Sequence, residues 1–292
     1  MLSRPPSSRN TLQGESFEEF DDYYVLSLPH YYSEILEELE PGIFAKLTPL
    51  LNTGESSFNN VFHLKKPAID EANRIQRFIK IHKRLVIIAI NKNIAKHFKN
   101  ELDSCTALEY IFDFEKKEKT YYGKMFNKAK YNHHDPSIRG LISALSIIVK
   151  QLPYGSRLKN VFISYVPPYS QKIFYLPRLL AHGVAAEINR AQGQLNCHVL
   201  DTWLTTEKPE FKNLQIDEKY TQWESLYKGS VMRKTDQRQW MPTIIIEDNY
   251  QSGTTLWSYA RYLKGLGCPE VHGLCCVKLM RDTDNQNHAL AD

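Results

Sequence analysis

The fold is decided by residues 243–256, which read Thr-Ile-Ile-Ile-Glu-Asp-Asn-Tyr-Gln-Ser-Gly-Thr-Thr-Leu. Ile244–Ile246 form a β-branched run, which is typical of a strand that is covered on both faces of a sheet. The residues from Leu256 to Leu263 predict a helix that begins directly after a short loop. A strand, a loop and a helix in this order predict an α/β fold with a parallel sheet.

The polar residues between this strand and helix predict an anion site. Glu247 and Asp248 are expected at the carboxyl end of the strand, which is the edge where open parallel sheets bind ligands. Gly253 permits a tight turn, and the free N–H groups of the following helix favour an anion. We therefore expect a phosphate in the loop, a sugar diol at the carboxylates, and any divalent metal near them. The hydroxyl donors of the loop are Ser252, Thr254 and Thr255.

The same stretch resembles the phosphoribosyl pyrophosphate (PRPP) loop of type I phosphoribosyltransferases. The family pattern is four apolar residues, two acidic residues, a few variable positions and Thr-Gly-x-Thr, with Ser252 here in place of the first Thr. The resemblance implies a parallel sheet flanked by helices and catalytic roles for Glu247 and Asp248. An ordinary strand–helix turn with a surface acid pair is the alternative. The residues that the resemblance assigns to the 5-phosphate of PRPP are Gln251, Ser252, Gly253, Thr254 and Thr255.

The order of elements from about residue 121 to residue 282 is similar to the ComF-like branch of this family. Lys128–Tyr131 match its Lys-Tyr segment, and Tyr165–Pro168 match its strand that ends in Val-Pro. The resemblance implies a pyrophosphate loop at Pro167–Lys172, although a proline-rich turn with an exposed lysine is the alternative. The implied pyrophosphate ligands are Ser170, Lys172 and Arg233, and Lys278 resembles a lysine that meets a base oxygen in oxopurine enzymes.

What the resemblance implies for function is a transferase that binds PRPP and a nucleobase-like acceptor. Mg²⁺ would bridge pyrophosphate and ribose oxygens, without a direct protein ligand. Many purine enzymes carry an Asp at the position of Gln251. The residue here departs from that pattern, and Gln cannot act as a base. An alternative is a module that senses PRPP or a nucleotide without reacting it, with an N-terminal unit that docks a partner in DNA uptake or phage defence.

The chain as a whole predicts a globular protein. Its 292 residues are 42% hydrophobic, and its net charge of +4 is too small to indicate nucleic-acid binding by itself. It has no apolar run of membrane-spanning length and no apolar signal core at its start, so we expect no membrane association. Its five scattered cysteines lack paired spacing and indicate free thiols in the cytoplasm.

Three segments are expected: a disordered tail at 1–16, an N-terminal α/β unit of unknown role at 17–115, and the phosphoribosyltransferase-like domain at 116–292. Within the second segment we expect helices at 32–40, 69–81 and 95–102 and a strand at 84–90. Residues 202–241 look polar and irregular, and long for a hood over a nucleobase. A homodimer is the default assembly. A basic face that would contact nucleic acid, or simply be solvated, comprises Lys65, Lys66, Arg74, Arg77, Lys80, Lys83 and Arg84.

Overall fold

The computed structural model describes most of the chain. The described residues are 16–29, 47–49, 59–66, 70–73, 75, 85–88, 101–113, 116–151, 158–169, 173–191, 193–207, 214, 216–233 and 240–279. The predicted tail, except for Ser16, and the predicted helix at 32–40 lie outside these residues.

Among the described residues, the main sheet has six strands in the order β10-β9-β13-β14-β6-β5. All neighbours pair in parallel except β5 and β6, which are antiparallel. This arrangement, with helices on both faces, confirms the predicted fold class. The bounds of the strands are β5 Val86–Ile87, β6 Ser104–Tyr110, β9 Asn160–Tyr165, β10 Asn196–Val199, β13 Thr243–Tyr250 and β14 Val271–Lys278.

Helices cover both faces of this sheet, and the sheet separates two hydrophobic cores. The first core is formed with three helices, which are α1 (Tyr121–Asn132), α2 (Asp135–Gln151) and α3 (Leu176–Arg190). The second core is formed with α4, Ile216–Ser230, and α5, Thr254–Gly265. The pleat of β13 sends Ile244 and Ile246 into the first core and Ile245 into the second, as expected for a strand with period two.

A smaller antiparallel sheet has the described strand order β1-β2-β4-β3. Leu26 and Leu64 from its central strands are buried in the first core, so this sheet packs with α1 and α2 in one hydrophobic cluster. The bounds of its strands are β1 Ser16–Glu19, β2 Tyr23–Pro29, β3 Leu47–Pro49 and β4 Asn59–Lys65, and a separate short hairpin pairs β7 Phe112–Asp113 with β8 Glu118–Lys119.

Part of the segment 17–115 belongs to the main sheet, and the division of the chain at residue 115 stays a prediction. Strands β5 and β6 lie in this segment but pair in the main sheet, where β6 adjoins β14. Residues 70–73 and 75 are helical as predicted, whereas residues 101 and 102 are not helical and 91–100 lie outside the described residues. A strand pattern does not reveal which sheet a strand will join, because pairing depends on distant residues.

Residues 202–241 are also more regular than predicted. Strand β11, Thr202–Leu204, pairs antiparallel with β12, Val231–Arg233, and α4 lies between them. The buried side chains of Tyr220, Trp223 and Tyr227 face the second core at helical spacing. Acidic residues in the first turn and Lys228 in the last turn complement the helix dipole. This aromatic spacing was the available signal for a helix within a polar segment.

Candidate functional site

The candidate site lies at the carboxyl edge of the main sheet, between β9 and β13. Helix α3 carries the chain from β9 to β10, while α5 carries it from β13 to β14 on the other side. The two crossovers therefore leave adjacent strands in opposite directions. In open α/β sheets this reversal opens a crevice in which ligands bind. The acid pair and the loop predicted to hold phosphate both lie at this position.

The two carboxylates belong to the strand itself, because β13 continues to Tyr250. Their side chains point to opposite faces of the sheet. Asp248 forms an ion pair with Lys130 of α1, on the side of the first core. Glu247 pairs in register with Cys275 of β14, which lies in the second core. Adjacent residues of a strand alternate between faces, so the acid pair joins the two halves of the site.

Asp248 is held in place by two polar neighbours. Lys130 Nζ lies 2.9 Å from its Oδ2, and the side chain of Asp248 is only 8% exposed. Asn249 Nδ2 donates to Asp248 Oδ1 at 2.6 Å. A buried carboxylate needs such partners, since desolvation would otherwise oppose its charge. Asp248 is therefore a fixed anion at the mouth of the crevice.

Glu247 has a less favourable environment for its charge. Burial raises the pKa of Glu247 well above its usual range, and the neighbouring charge of Asp248 raises it further. The N–H of Asp248, which donates to Glu247 Oε1 at 2.9 Å, and the ammonium of Lys130 act in the opposite direction. A cation brought to this position by a ligand would lower that pKa.

The loop after β13 has the form that the sequence predicts. Gly253 has φ of 87° and caps the N-terminus of α5. The buried hydroxyl groups of Ser252 and Thr254 lie 3.2 Å apart, and Trp257 N–H donates to the carbonyl of Gly253 at 2.9 Å. The loop thus brings two hydroxyl groups to the helix terminus, where an anion is favoured. Gln251 at its start is exposed.

Gly253 is required by close packing as well as by its dihedral angle. A Cβ atom at this position would collide with the hydroxyl of Tyr250 and lie 2.7 Å from Trp257 Cε2. The loop backbone therefore rests directly on two aromatic side chains. Tyr227 Oη lies 3.4 Å from the carbonyl of Thr255, so α4 supports the first turn of α5 as well.

Lys278, the residue predicted to contact a base, lies beneath this loop. Its ammonium donates to the carbonyl oxygens of Gln251 and Leu279, each at 3.1 Å. It also lies 4.9 Å from the centre of the Tyr250 ring, and the residue is 3% exposed. The contacts with Gln251 and Tyr250 tie the end of β14 to the loop. The predicted role in base binding stays a prediction.

The predicted pyrophosphate residues are only partly covered by the structure. Ser170 and Lys172 lie outside the described residues, and Arg233 ends β12 without a described side chain. Beyond the gap, Phe174 stacks on His133 with ring centres 3.6 Å apart. Burial raises the pKa of Tyr175, and the charges of Glu247 and Asp248 add to this effect. The far end of this segment therefore reaches the neighbourhood of the acid pair.

A third carboxylate, Asp201, follows β10 at the same edge of the sheet. Tyr165 Oη donates to Asp201 Oδ1 at 2.8 Å, and His182 Nε2 lies 2.7 Å from the same oxygen. Burial alone would raise the pKa of Asp201, but the hydrogen bonds from Tyr165 and His182 prevail and hold it below its usual value. This cluster ties α3 to the ends of β9 and β10, and nothing in the local sequence indicates it.

The acid pair suits a hard cation that arrives with its ligand better than a resident metal. Glu247 and Asp248 supply oxygen atoms, which Mg²⁺ prefers, and magnesium sites commonly take further ligands from substrate phosphates and water. Within the described ranges, no group of three or more His, Cys, Asp or Glu side chains is placed to hold a metal ion. The five cysteines are buried and free.

The structure bears on two other predictions. From the basic face, Lys66 pairs with Glu19 at 2.8 Å and Lys65 is exposed, whereas Arg74, Arg77, Lys80, Lys83 and Arg84 lie outside the described residues. Among the helices that the structure describes, none has both the length and the apolar character needed to cross a membrane.

Comparison with known proteins gives weak matches. No protein-family model matches the chain, and no curated protein matches it significantly. A similar solved structure is a hypoxanthine phosphoribosyltransferase from Staphylococcus aureus, which is 14% identical over 50% of this chain and 66% of its own, with a TM-score of 0.30. Another is a glutamine mutant from an analysis of an invariant aspartic acid in HPRTs. This mutant is 13% identical to the chain, the match covers 54% of this chain and 68% of that one, and the TM-score is 0.28. The matched region thus spans about two thirds of each of those chains, and we draw nothing about function from either.

Proposed function

We propose that the protein binds PRPP at the carboxyl end of β13 and, with Mg²⁺, transfers ribose 5-phosphate to a nitrogenous base with release of pyrophosphate. One observation carries this proposal. The acid pair, the Gly253 loop and the N-terminus of α5 follow one another at the point where the crossovers of the sheet reverse direction. The specific choice of PRPP comes from the resemblance of residues 243–256 to the PRPP loop.

The loop would hold the 5-phosphate. The hydroxyls of Ser252 and Thr254 lie beside the first turn of α5, whose free N–H groups and dipole favour a dianion. Because Gly253 is packed against Tyr250 and Trp257, the loop is shaped before the ligand arrives. Such preorganisation reduces the ordering cost of binding.

The acid pair would act on the ribose. In the reaction the bond from C1 to the pyrophosphate oxygen breaks, a bond from C1 to the base nitrogen forms, and that nitrogen loses its proton. Positive charge develops on the sugar, and the fixed carboxylate of Asp248 would stabilise it. The same charge would lower the raised pKa of Glu247, so that its ionisation is coupled to the reaction. Mg²⁺ that arrives with PRPP would be held by substrate oxygens near these two carboxylates, and its charge would help to neutralise the leaving pyrophosphate.

A second candidate is a module that binds PRPP or a nucleotide without transferring it. Two observations favour it. Gln251 cannot act as a base, and the ammonium of Lys278 is engaged with the loop carbonyls instead of being presented to a base. In this case the segment before residue 116 would dock a partner.

Calorimetric titration with PRPP, with and without Mg²⁺, tests the proposal when it is combined with a pyrophosphate-release assay on a panel of nucleobases. Ribose 5-phosphate serves as the control ligand, because it fills the loop but lacks the leaving group. Binding and release with one base would support the transferase. Binding without release would favour the sensing module. Absence of PRPP binding would refute the transferase, and the sensing module would then have to bind a nucleotide instead.

A further inference from the structure

Lys130 is the one described residue whose ammonium contacts the acid pair, and local sequence patterns assign it no separate role. Its Nζ lies 2.9 Å from Asp248 Oδ2 and 5.2 Å from the centre of the Phe126 ring. Its side chain is 31% exposed, whereas that of Asp248 is 8% exposed. The side chain that carries the ammonium is therefore partly accessible to solvent, while the carboxylate that holds it is almost covered.

The position of Lys130 places it away from the loop that is shaped for a monophosphate. Helix α1 carries it on the side of the first core, whereas the Gly253 loop leads into α5 on the side of the second core. The acid pair lies on the strand between these two sides. A ligand that filled the loop and reached across the carboxylates would next meet the ammonium of Lys130.

Transfer of Lys130 from Asp248 to such a ligand would leave each charge with a partner. The hydroxyl groups of a sugar could donate to Asp248 in place of the ammonium, while a phosphate could accept from Lys130 in its place. Breaking a partly buried ion pair is costly when one partner is left alone. An exchange of partners avoids that cost, and hydrogen bonds from an ammonium to phosphate are among the stronger ones.

We propose that Lys130 is a phosphate-binding residue of this site, and that Asp248 holds its ammonium until a ligand phosphate on the side of α1 takes it over. If the ligand is PRPP, that group is its pyrophosphate, and this identification rests on the proposed function. The binding of Lys130 to a phosphate group itself does not depend on it.

Inorganic pyrophosphate is the probe that tests Lys130 separately, because it has no sugar to engage Asp248. We would titrate the full-length protein calorimetrically with pyrophosphate and, in parallel, with PRPP. The variants are Lys130→Met, Lys130→Arg and Asp248→Asn. Lys128→Met is the matched control, since it removes the same charge from the same helix at an exposed position. Thermal unfolding of each variant shows whether it is folded.

Loss of one charge-assisted hydrogen bond corresponds to about a tenfold change in affinity. We expect Lys130→Met to weaken pyrophosphate binding by about tenfold, Lys130→Arg to retain most of it, and Lys128→Met to change it little. Asp248→Asn should strengthen pyrophosphate binding, because it frees Lys130, and should weaken PRPP binding, because it removes the acceptor for the diol. A purely structural ion pair would not produce opposite changes for the two ligands.

The inference would be overturned if pyrophosphate bound with equal affinity to the wild type, Lys130→Met and Asp248→Asn. It would also be overturned if pyrophosphate bound to neither the wild type nor Asp248→Asn. If pyrophosphate responds as expected while PRPP does not bind, the phosphate role of Lys130 stands and the proposed function fails. If Lys130→Met changes neither the affinity for PRPP nor the affinity for pyrophosphate, the proposed function stands and Lys130 has no part in it.

Discussion

The two edges of the main sheet carry similar kinds of side chains in different arrangements. At the amino edge, Asp103 Oδ2 accepts from Val271 N–H at 2.6 Å and lies 2.9 Å from Lys264 Nζ, which links β6, β14 and α5. Nearby, His272 Nδ1 lies 2.9 Å from Ser104 Oγ, and His272 Nε2 lies 3.2 Å from Glu270 Oε2. At the carboxyl edge, by contrast, Glu247 and Asp248 are adjacent acids, and the ammonium of Lys130 contacts Asp248.

The difference shows which polar groups serve the fold and which are available for a ligand. At the amino edge Asp103 links elements that are far apart in the sequence, and Glu270 pairs with the nearby His272, so both carboxylates have partners within the protein. At the carboxyl edge the charge is concentrated, and burial raises the pKa of Glu247 at a cost in free energy. Perturbed pKa values in a cleft are characteristic of functional sites. The comparison predicts that substitutions at the carboxyl edge change ligand binding, with or without an effect on stability, whereas substitutions at the amino edge change stability alone.

The largest expected effect is that of Asp248→Asn. We expect pyrophosphate release from PRPP to fall by about 100-fold, because a fixed charge is lost where positive charge develops. The protein should remain folded, since the amide oxygen can still accept from Asn249. Steady-state kinetics and circular dichroism provide the measurements. Full activity in this variant would remove the distinction between the two edges.

Next in size is Gly253→Ala, which strains the loop. Because φ is 87° and the Cβ atom collides with Tyr250, we expect a loss of about 1–3 kcal/mol in the free energy of unfolding and weaker PRPP binding. Gly265→Ala is the matched control on the same helix, since a Cβ atom there would meet no described atom within 4 Å. Chemical denaturation of both variants makes the comparison, and equal stabilities would contradict the predicted strain.

A pH-dependent effect is expected for Glu247→Gln. Because the pKa of Glu247 is raised above its ordinary value of 4.5 in the folded state, the folded protein binds this proton more tightly than the unfolded chain does. The stability of the wild type therefore falls as the pH rises from about 4.5 through the pKa of the folded state.

The variant cannot lose this proton, so its melting temperature relative to the wild type should rise as the pH increases from about 4.5 through the pKa of the folded state. Thermal unfolding across this range measures the difference. Glu118→Gln, at an exposed carboxylate, is the control and should show no such trend. A constant difference between Glu247→Gln and the wild type would contradict the expectation.

The smallest effect is expected at the amino edge, for Asp103→Asn. The ion pair with Lys264 is partly exposed, so most of the loss should come from the charge-assisted hydrogen bond with Val271 N–H, about 1 kcal/mol in the free energy of unfolding. The affinity for PRPP should not change. A weaker affinity at unchanged stability would show that the amino edge also acts on the ligand.

Local sequence patterns were sufficient for the strand, loop and helix that contain the candidate site. The β-branched run at Ile244–Ile246 and the conformational freedom of Gly253 act over a few residues, and the structure has β13, a left-handed Gly253 and α5 as predicted. The period of a strand also requires Glu247 and Asp248 to serve opposite faces. These features follow from dihedral preferences and from the spacing of side chains, which do not need distant contacts.

The helix α4 was available to sequence reasoning but was not predicted. Its buried Tyr220, Trp223 and Tyr227 have helical spacing, yet the polar residues around them made the segment look irregular. Its aromatic side chains pack on α5, where Tyr227 and Tyr259 have ring centres 5.4 Å apart. Helical stability that comes from tertiary packing leaves only a weak mark on local composition.

By itself, the sequence determined the α/β class, the position of the acid pair and the loop at the end of β13. Contacts between distant parts of the chain place β6 beside β14, Lys130 against Asp248, and Lys278 under the loop. The reason is physical. Dihedral preferences and side-chain periodicity act between neighbours in the chain, whereas strand order, ion pairing and the burial that raises the pKa of Glu247 depend on which distant elements pack together.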